Sequence, residues 1–152
     1  MTTTALLSSS LVIGNDAAEL RRMTQWLRDS AAAADIAPDL VFALDHCANE
    51  AVINIINYAY DDAARHDITL ELNTTAQGAC LVIRDDGKPF NLLQAPEHEK
   101  CGCIADAKIG GLGIHLIRCL MARCEYRRED GNNVVTLEAH RDSRPANAQP
   151  RR

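Results

Sequence analysis

Helical-period and two-residue-period segments alternate along this chain without the regular strand–helix–strand rhythm of a parallel sheet, and this order narrows the fold most. The apolar run Leu11-Val12-Ile13 closes a segment from Thr2 that predicts an edge strand. Asp16-Ala-Ala-Glu19 has the form of a capping box, the aspartate able to cap and the glutamate to reach back. Leu20, Met23 and Leu27 then recur at helical spacing, which predicts a first helix to about Ala33. Pro38 suits a first helical turn, and a second helix is expected from there to about Ala59. Ile68-Thr-Leu70-Glu-Leu72 alternates as a half-buried strand, and Cys80 to Arg84 forms the next after a turn at Gln77-Gly78. A third helix is read from Leu112 to Arg123. Glu125 to Arg128 and Val134 to Ala139 then pair as a hairpin across Asp130-Gly-Asn-Asn133. The expected class is α+β, a mostly antiparallel sheet covered on one face by helices.

A chain of 152 residues, 47% apolar and 24% charged, has enough to bury for one core and too little for two ordinary domains. The stretch from Arg141 to Arg152 holds two prolines and four arginines with almost nothing to bury. Residues 1–140 are therefore expected to form the single domain and 141–152 a disordered basic tail. With a net charge of −5 and a tail of +3 (four Arg, one Asp), the body carries −5 − 3 = −8. That balance argues against a direct nucleic-acid partner, while a nucleotide, whose phosphates need only one local site, stays possible. No apolar run reaches the roughly 18 residues of a membrane span. The segment Met1 to Ile13 has no basic region before its apolar stretch, so a cytoplasmic location is expected. Cys47, Cys119 and Cys124 fall in or beside helical patterns and Cys80 opens a strand-like run, so these four read as reduced core or near-core thiols. His98 with Cys101-Gly-Cys103 is the one cluster with metal-ligand flavour. Three ligands without a clear fourth make a poor zinc site, and a reduced pair in a loop is the simpler reading.

Three polar features stand out from this framework. On the second helix Val41, Leu44, Ala48, Val52, Ile55 and Ala59 cluster on one side, and Glu50, Asn54 and Asn57 lie within about 60° of one another on the opposite side. Such a stripe can be a solvated face. Asparagine is, however, a poor helix former, and an amide oxygen one turn beyond a carboxylate suits a hard cation such as Mg2+. Asp85-Asp-Gly87 follows the apolar strand Leu81-Val-Ile83, either as a simple turn or as a strand-end carboxylate able to accept an exocyclic amine. In the second case Gly87 would let a flat ring approach the backbone. Gly110-Gly111-Leu112-Gly113 opens the third helix, either as a hinge or as a set of free backbone N–H groups facing an anion. It is neither a Walker A loop nor a Rossmann fingerprint, since no Gly-Lys-Ser/Thr follows and no ordinary βαβ unit surrounds it.

In order and spacing, Glu50-Ala-Val-Ile-Asn54, Asp85-x-Gly87-x-Pro-Phe90 and Gly110-Gly-Leu-Gly113 resemble the N, G1 and G2 boxes of the GHKL ATP-binding superfamily. The Pro-Phe pair and the small size look most like the stand-alone anti-sigma-factor serine kinases. The resemblance covers roughly residues 10–140 and implies the Bergerat α/β sandwich, with ATP and Mg2+ as cofactors. It implies Glu50 as general base, Asn54 as Mg2+ ligand and Asp85 as acceptor of the adenine amine. Gly87 would admit the base, and Gly111, Leu112 and Gly113 would offer amides to the phosphates. Asn57 and Lys108 join the nucleotide-binding set, and Leu92 to Ile109 would be the ATP lid. Tyr58 stands where the anti-sigma subgroup often has histidine, Asn57 where the histidine-kinase branch is often basic, and Pro89 where the broader G1 pattern has glycine.

The function so implied is an ATP-dependent serine/threonine kinase that phosphorylates a small anti-anti-sigma-like protein and binds a sigma factor or similar regulator. The alternative is a non-catalytic module in which ATP sets the shape of a protein-binding surface; retention of Glu50 favours the kinase. A homodimer is compatible with either. A histidine-kinase catalytic domain is disfavoured because His46, inside the nucleotide-binding helix, is no phospho-acceptor on a dimerisation helix.

Overall fold

The computed structural model describes residues 7–94 and 111–140. In chain order they form β1 (Leu7–Gly14), α1 (Leu20–Ala33), α2 (Pro38–Tyr58), β2 (Asp67–Thr75), β3 (Gly78–Asp85), α3 (Gly111–Leu120), β4 (Arg123–Glu129) and β5 (Asn132–His140). The strands make one antiparallel sheet in the order β1-β2-β3-β5-β4. α2 packs over β3 and β5, with α1 beside it over β1 and α3 on its other flank near β4. This is the expected α+β arrangement, consistent with a Bergerat-type sandwich.

Because side chains alternate across a strand, residues two apart build the helix-facing side of the sheet in transverse rows. Ser9, Leu72, Leu81, Leu137 and Cys124 form one row, and Leu11, Leu70, Ile83, Val135 and Tyr126 the next. The last row runs Ile13, Ile68, Asp85, Asn133, Arg128. It begins apolar at β1 and turns polar at β3. The alternation that made β2 and β3 legible thus carries a carboxylate into the buried face at the strand's end.

The helices cover these rows with the residues whose spacing predicted it. Met23 and Leu27 of α1, and Leu44, Ala48, Val52 and Ile55 of α2, are buried in the core. Trp26 Nε1 and Ser30 Oγ both donate to Ser9 Oγ, at 2.9 and 3.2 Å, fixing α1 on β1. Thr24 Oγ1 donates to Asp45 Oδ1 at 2.8 Å, and Asn49 Nδ2 to the same oxygen at 2.9 Å, which joins α1 to α2.

Three boundaries depart from the sequence expectation. Asp16 Oδ1 caps as expected, accepting from the Ala18 N–H at 2.9 Å, but Glu19 Oε1 passes the cap and accepts from the Gly14 N–H at 3.3 Å. The helix starts through a 3-10 turn at Ala17–Glu19, and Arg22 draws the Glu19 carboxylate aside with a 2.9 Å bond. α3 stops at Leu120 and does not reach Arg123, because the Ala122 N–H already pairs with the Glu138 carbonyl at 2.8 Å. The expected lid cannot begin at Leu92: Leu92 and Leu93, in a 3-10 turn at Leu92–Gln94, are 1% and 9% exposed and belong to the core. Arg118 Nη2 donates to the Leu93 carbonyl. The rest of that segment, with Lys108, His98 and Cys101-Gly-Cys103, lies outside the described residues, as does the tail 141–152.

If Leu92 is a core residue, Leu92→Ala should lower unfolding free energy by about 2–5 kcal/mol, read from urea denaturation. A change near zero would return Leu92 to the lid.

Candidate functional site

The polar end of the last sheet row is a site built by strand pairing. Asp85 closes β3 and is only 3% exposed. A buried carboxylate needs donors, and two converge on Oδ1: the Gly87 N–H at 2.9 Å and Asn133 Nδ2 at 2.9 Å. Burial pushes the Asp85 carboxyl above its ordinary value, and these two bonds pull it part of the way back. Among the described residues neither bond uses Oδ2.

Asn133, which none of the sequence motifs includes, is the centre of this network. Its Nδ2 also donates to the Lys88 carbonyl at 2.8 Å. Its Oδ1 accepts from the Phe90 N–H at 3.1 Å, Tyr126 Oη at 2.6 Å and Arg128 Nη1 at 3.1 Å. Arg128 Nη1 reaches the Gly87 carbonyl as well, at 2.8 Å. In the sequence Asn133 reads as the last residue of a turn. Only the β3–β5 register, Asp85 opposite Asn133, reveals the pairing.

Gly87 is required by the helix before any ligand is considered. A Cβ there would lie 2.5 Å from the Ala59 carbonyl oxygen and 2.7 Å from the Ala59 Cβ, just past α2. The close approach lets the Lys88 N–H donate to that same carbonyl at 2.9 Å. Phe90 packs against the core and meets Tyr58 with ring centroids 5.8 Å apart.

On α2 the polar stripe divides. Asn57 is exposed, whereas Asn54 is only 4% exposed, so a uniformly solvated face does not describe the stripe. The reason is that α2 packs on α3 as well as on the sheet, so burial extends round the helix, with Ala43, Cys47, Ala51 and Asn54 among its buried residues. Asn54 Nδ2 donates to the Glu50 carbonyl at 2.7 Å, which orients the amide and leaves Oδ1 without a hydrogen bond among the described residues. Glu50 Oε2 is buried and has no partner among the described residues. A buried, unpartnered carboxylate oxygen is costly. α3 begins at Gly111, so Gly111, Leu112 and Gly113 form a first turn whose N–H groups have no intrahelical acceptor. Gly110 and Lys108 lie outside the described residues. Cys47 is buried and its thiol is pushed up to about 12, chiefly by desolvation, so it stays an uncharged core residue.

A family model for the histidine kinase-like ATPase domain matches residues 13–139. The chain belongs to the histidine kinase-like ATPase family. It is also 34% identical over 115 residues to the serine/threonine-protein kinase BtrW of Bordetella bronchiseptica, covering 76% of this chain and 81% of that relative. The three boxes of this GHKL-type ATPase domain fall at the strand end, on the central helix and at the start of α3. An ATPase domain implies ATP, and the residues present fit it: an oriented buried carboxylate at Asp85, an oriented free amide oxygen at Asn54, an orphan oxygen on Glu50 and a helix start at Gly111. No helix among the described residues is long and apolar enough to cross a membrane.

Gly87→Ala should destabilise this ATPase domain by about 1–3 kcal/mol in urea unfolding, since the atom it meets is backbone and cannot turn aside. Wild-type stability would show that the 85–90 turn is free to move off α2.

Proposed function

We propose that this domain is a cytoplasmic ATP-dependent serine/threonine protein kinase whose substrate is a small regulatory protein. The observation that carries the reading is the Glu50 carboxylate, one turn before Asn54, with a buried oxygen that no described residue satisfies. A module that only binds nucleotide has no use for a proton acceptor there. The resemblance to BtrW, a serine/threonine-protein kinase by name, supports the same class.

Asp85 would accept the exocyclic amine of adenine through Oδ2, because Oδ1 is held by Asn133 and Gly87. Asn54 Oδ1 would hold Mg2+, an oxygen-seeking ion, and the first-turn amides of α3 would face phosphate. Gly87 would admit the base, while Asn57 and Lys108 complete the nucleotide-binding set carried by the resemblance. When bound, ATP supplies the phosphoryl group that the substrate hydroxyl accepts. Glu50 would take the proton of that hydroxyl as it attacks the phosphoryl group, with ADP as the leaving group. Resemblance to the anti-sigma-factor kinases favours an anti-anti-sigma-like substrate and a sigma factor or similar regulator as the second partner.

The oriented network around Asp85 sharpens the expected effect of Asp85→Asn. With Asn133 and Gly87 both donating, the new amide keeps its oxygen toward them and turns its NH2 toward the base, donor against donor. ATP affinity should fall by about 1–3 kcal/mol by calorimetry, and GTP should compete poorly with wild type. Equal ATP affinity of the two chains would remove Asp85 from the base site.

Glu50→Gln keeps the side chain's size but cannot take a proton. ATP affinity should stay within about threefold, while phosphotransfer to a protein substrate falls by about 10²-fold or more. Transfer at the wild-type rate would show that Glu50 is not the base. A wild type with neither transfer nor hydrolysis would leave the non-catalytic module as the reading.

A further inference from the structure

A close group of titratable side chains outside the residues considered so far surrounds His66, in the segment between α2 and β2. His66 Nε2 lies 2.7 Å from Asp62 Oδ1, and Nδ1 lies 3.2 Å from Asp86 Oδ1. One face of the ring is covered by Tyr60, with centroids 4.3 Å apart and planes 13° from parallel. The backbone is fixed too: the His66 N–H donates to Asn15 Oδ1 at 2.9 Å, and its carbonyl accepts from the Asn15 N–H at 3.0 Å. The His66 side chain is 18% exposed, against 60% for Asp62 and 56% for Asp86. Nearby, Lys88 pairs with Asp61 at 2.8 Å across the same two segments, and Asp67 adds negative charge beside Tyr60.

A neutral imidazole has one N–H and one lone pair. Here both ring nitrogens face carboxylates, and a lone pair aimed at a carboxylate oxygen is repulsive. Only the imidazolium donates to both. It also presents a cation to the Tyr60 ring face, which is attractive. Asp86 is the middle residue of the turn that the Gly87 N–H closes on Asp85 Oδ1. The bridge therefore runs from the segment anchored at Asn15 to the turn that shapes Asp85.

We propose that His66 is a positioning residue: as an imidazolium it ties Asp86, and with it the Asp85–Gly87 turn, to the anchored segment before β2, so that nucleotide affinity follows the protonation of His66. The inference rests on Asp85 as the acceptor of the base. The hydrogen bond to Asp62 first, and that to Asp86 with it, raises His66 above its ordinary value of 6.5, against the opposing effect of burial. The bridge is complete below that ordinary value and is lost as pH rises through the raised one.

Calorimetric titration of the full chain with ATP at saturating Mg2+ should show affinity falling about threefold to tenfold between about pH 6 and pH 9. Asp86→Asn should abolish this step and keep the low-pH affinity throughout. A neutral ring can then donate from Nε2 to Asp62 and accept at Nδ1 from the new amide. Comparing the two chains cancels the titration of the nucleotide's own phosphates. His66→Gln should also give a flat profile, at the weaker level. A step retained in Asp86→Asn, or none in wild type, overturns the proposal. So does an NMR titration of the imidazole, without nucleotide, that places His66 at or below its ordinary value. Failure of the Asp85 assignment shows separately, as an Asp85→Asn chain that binds ATP like wild type.

Discussion

The amide of Asn133 is the interaction on which the candidate site depends. A carboxylate inside an antiparallel sheet is unfavourable unless its oxygens meet donors, and Asn133 supplies one while tying the following turn to β4 and β5. Its oxygen gathers the Phe90 N–H, the Tyr126 hydroxyl and Arg128, and its nitrogen serves Asp85 and the Lys88 carbonyl. These bonds hold the Asp85 carboxylate in one orientation through Oδ1. Arg128, across β4, closes the same loop through the Gly87 carbonyl.

The central helix solves a different problem. α2 must pack on the sheet and on α3 and still accommodate polar groups. It does so by burying Leu44, Ala48, Val52 and Ile55 against the sheet while Asn54 turns its amide back onto the helix carbonyl of Glu50. That bond satisfies the nitrogen without spending the oxygen. Glu50 is left with the opposite condition, a buried oxygen and no partner among the described residues. The C-terminal end of the helix joins the two systems, since the Ala59 carbonyl receives the Lys88 N–H and leaves room for glycine alone at position 87.

Much of this was legible from residue patterns. The alternation in β2 and β3, the helical spacing of α1 and α2, the proline that opens α2 and the final hairpin all express local geometry. The family resemblance also rested on short-range motifs, and the match over residues 13–139 agrees with it. The departures fall where local and long-range demands compete. Arg123 continues a helical pattern, yet the adjacent Ala122 pairs with Glu138 and the chain enters the sheet. Leu92 and Leu93 sit in a polar, loop-like stretch and are drawn into the core because the end of the sheet needs covering.

By itself the sequence determined the class of fold, the order of its elements and the box-like spacing that singles out Glu50, Asn54 and Asp85, because periodicity and motif spacing are read along the chain. Only the tertiary structure decided how those residues are held. Asp85 and Asn133 are 48 positions apart, Gly87 meets Ala59 through the packing of a helix on a turn, and His66 finds Asp86 from another strand's end. Each is a pairing between elements, fixed by sheet register and helix placement, and no local pattern encodes which polar group a buried carboxylate will face.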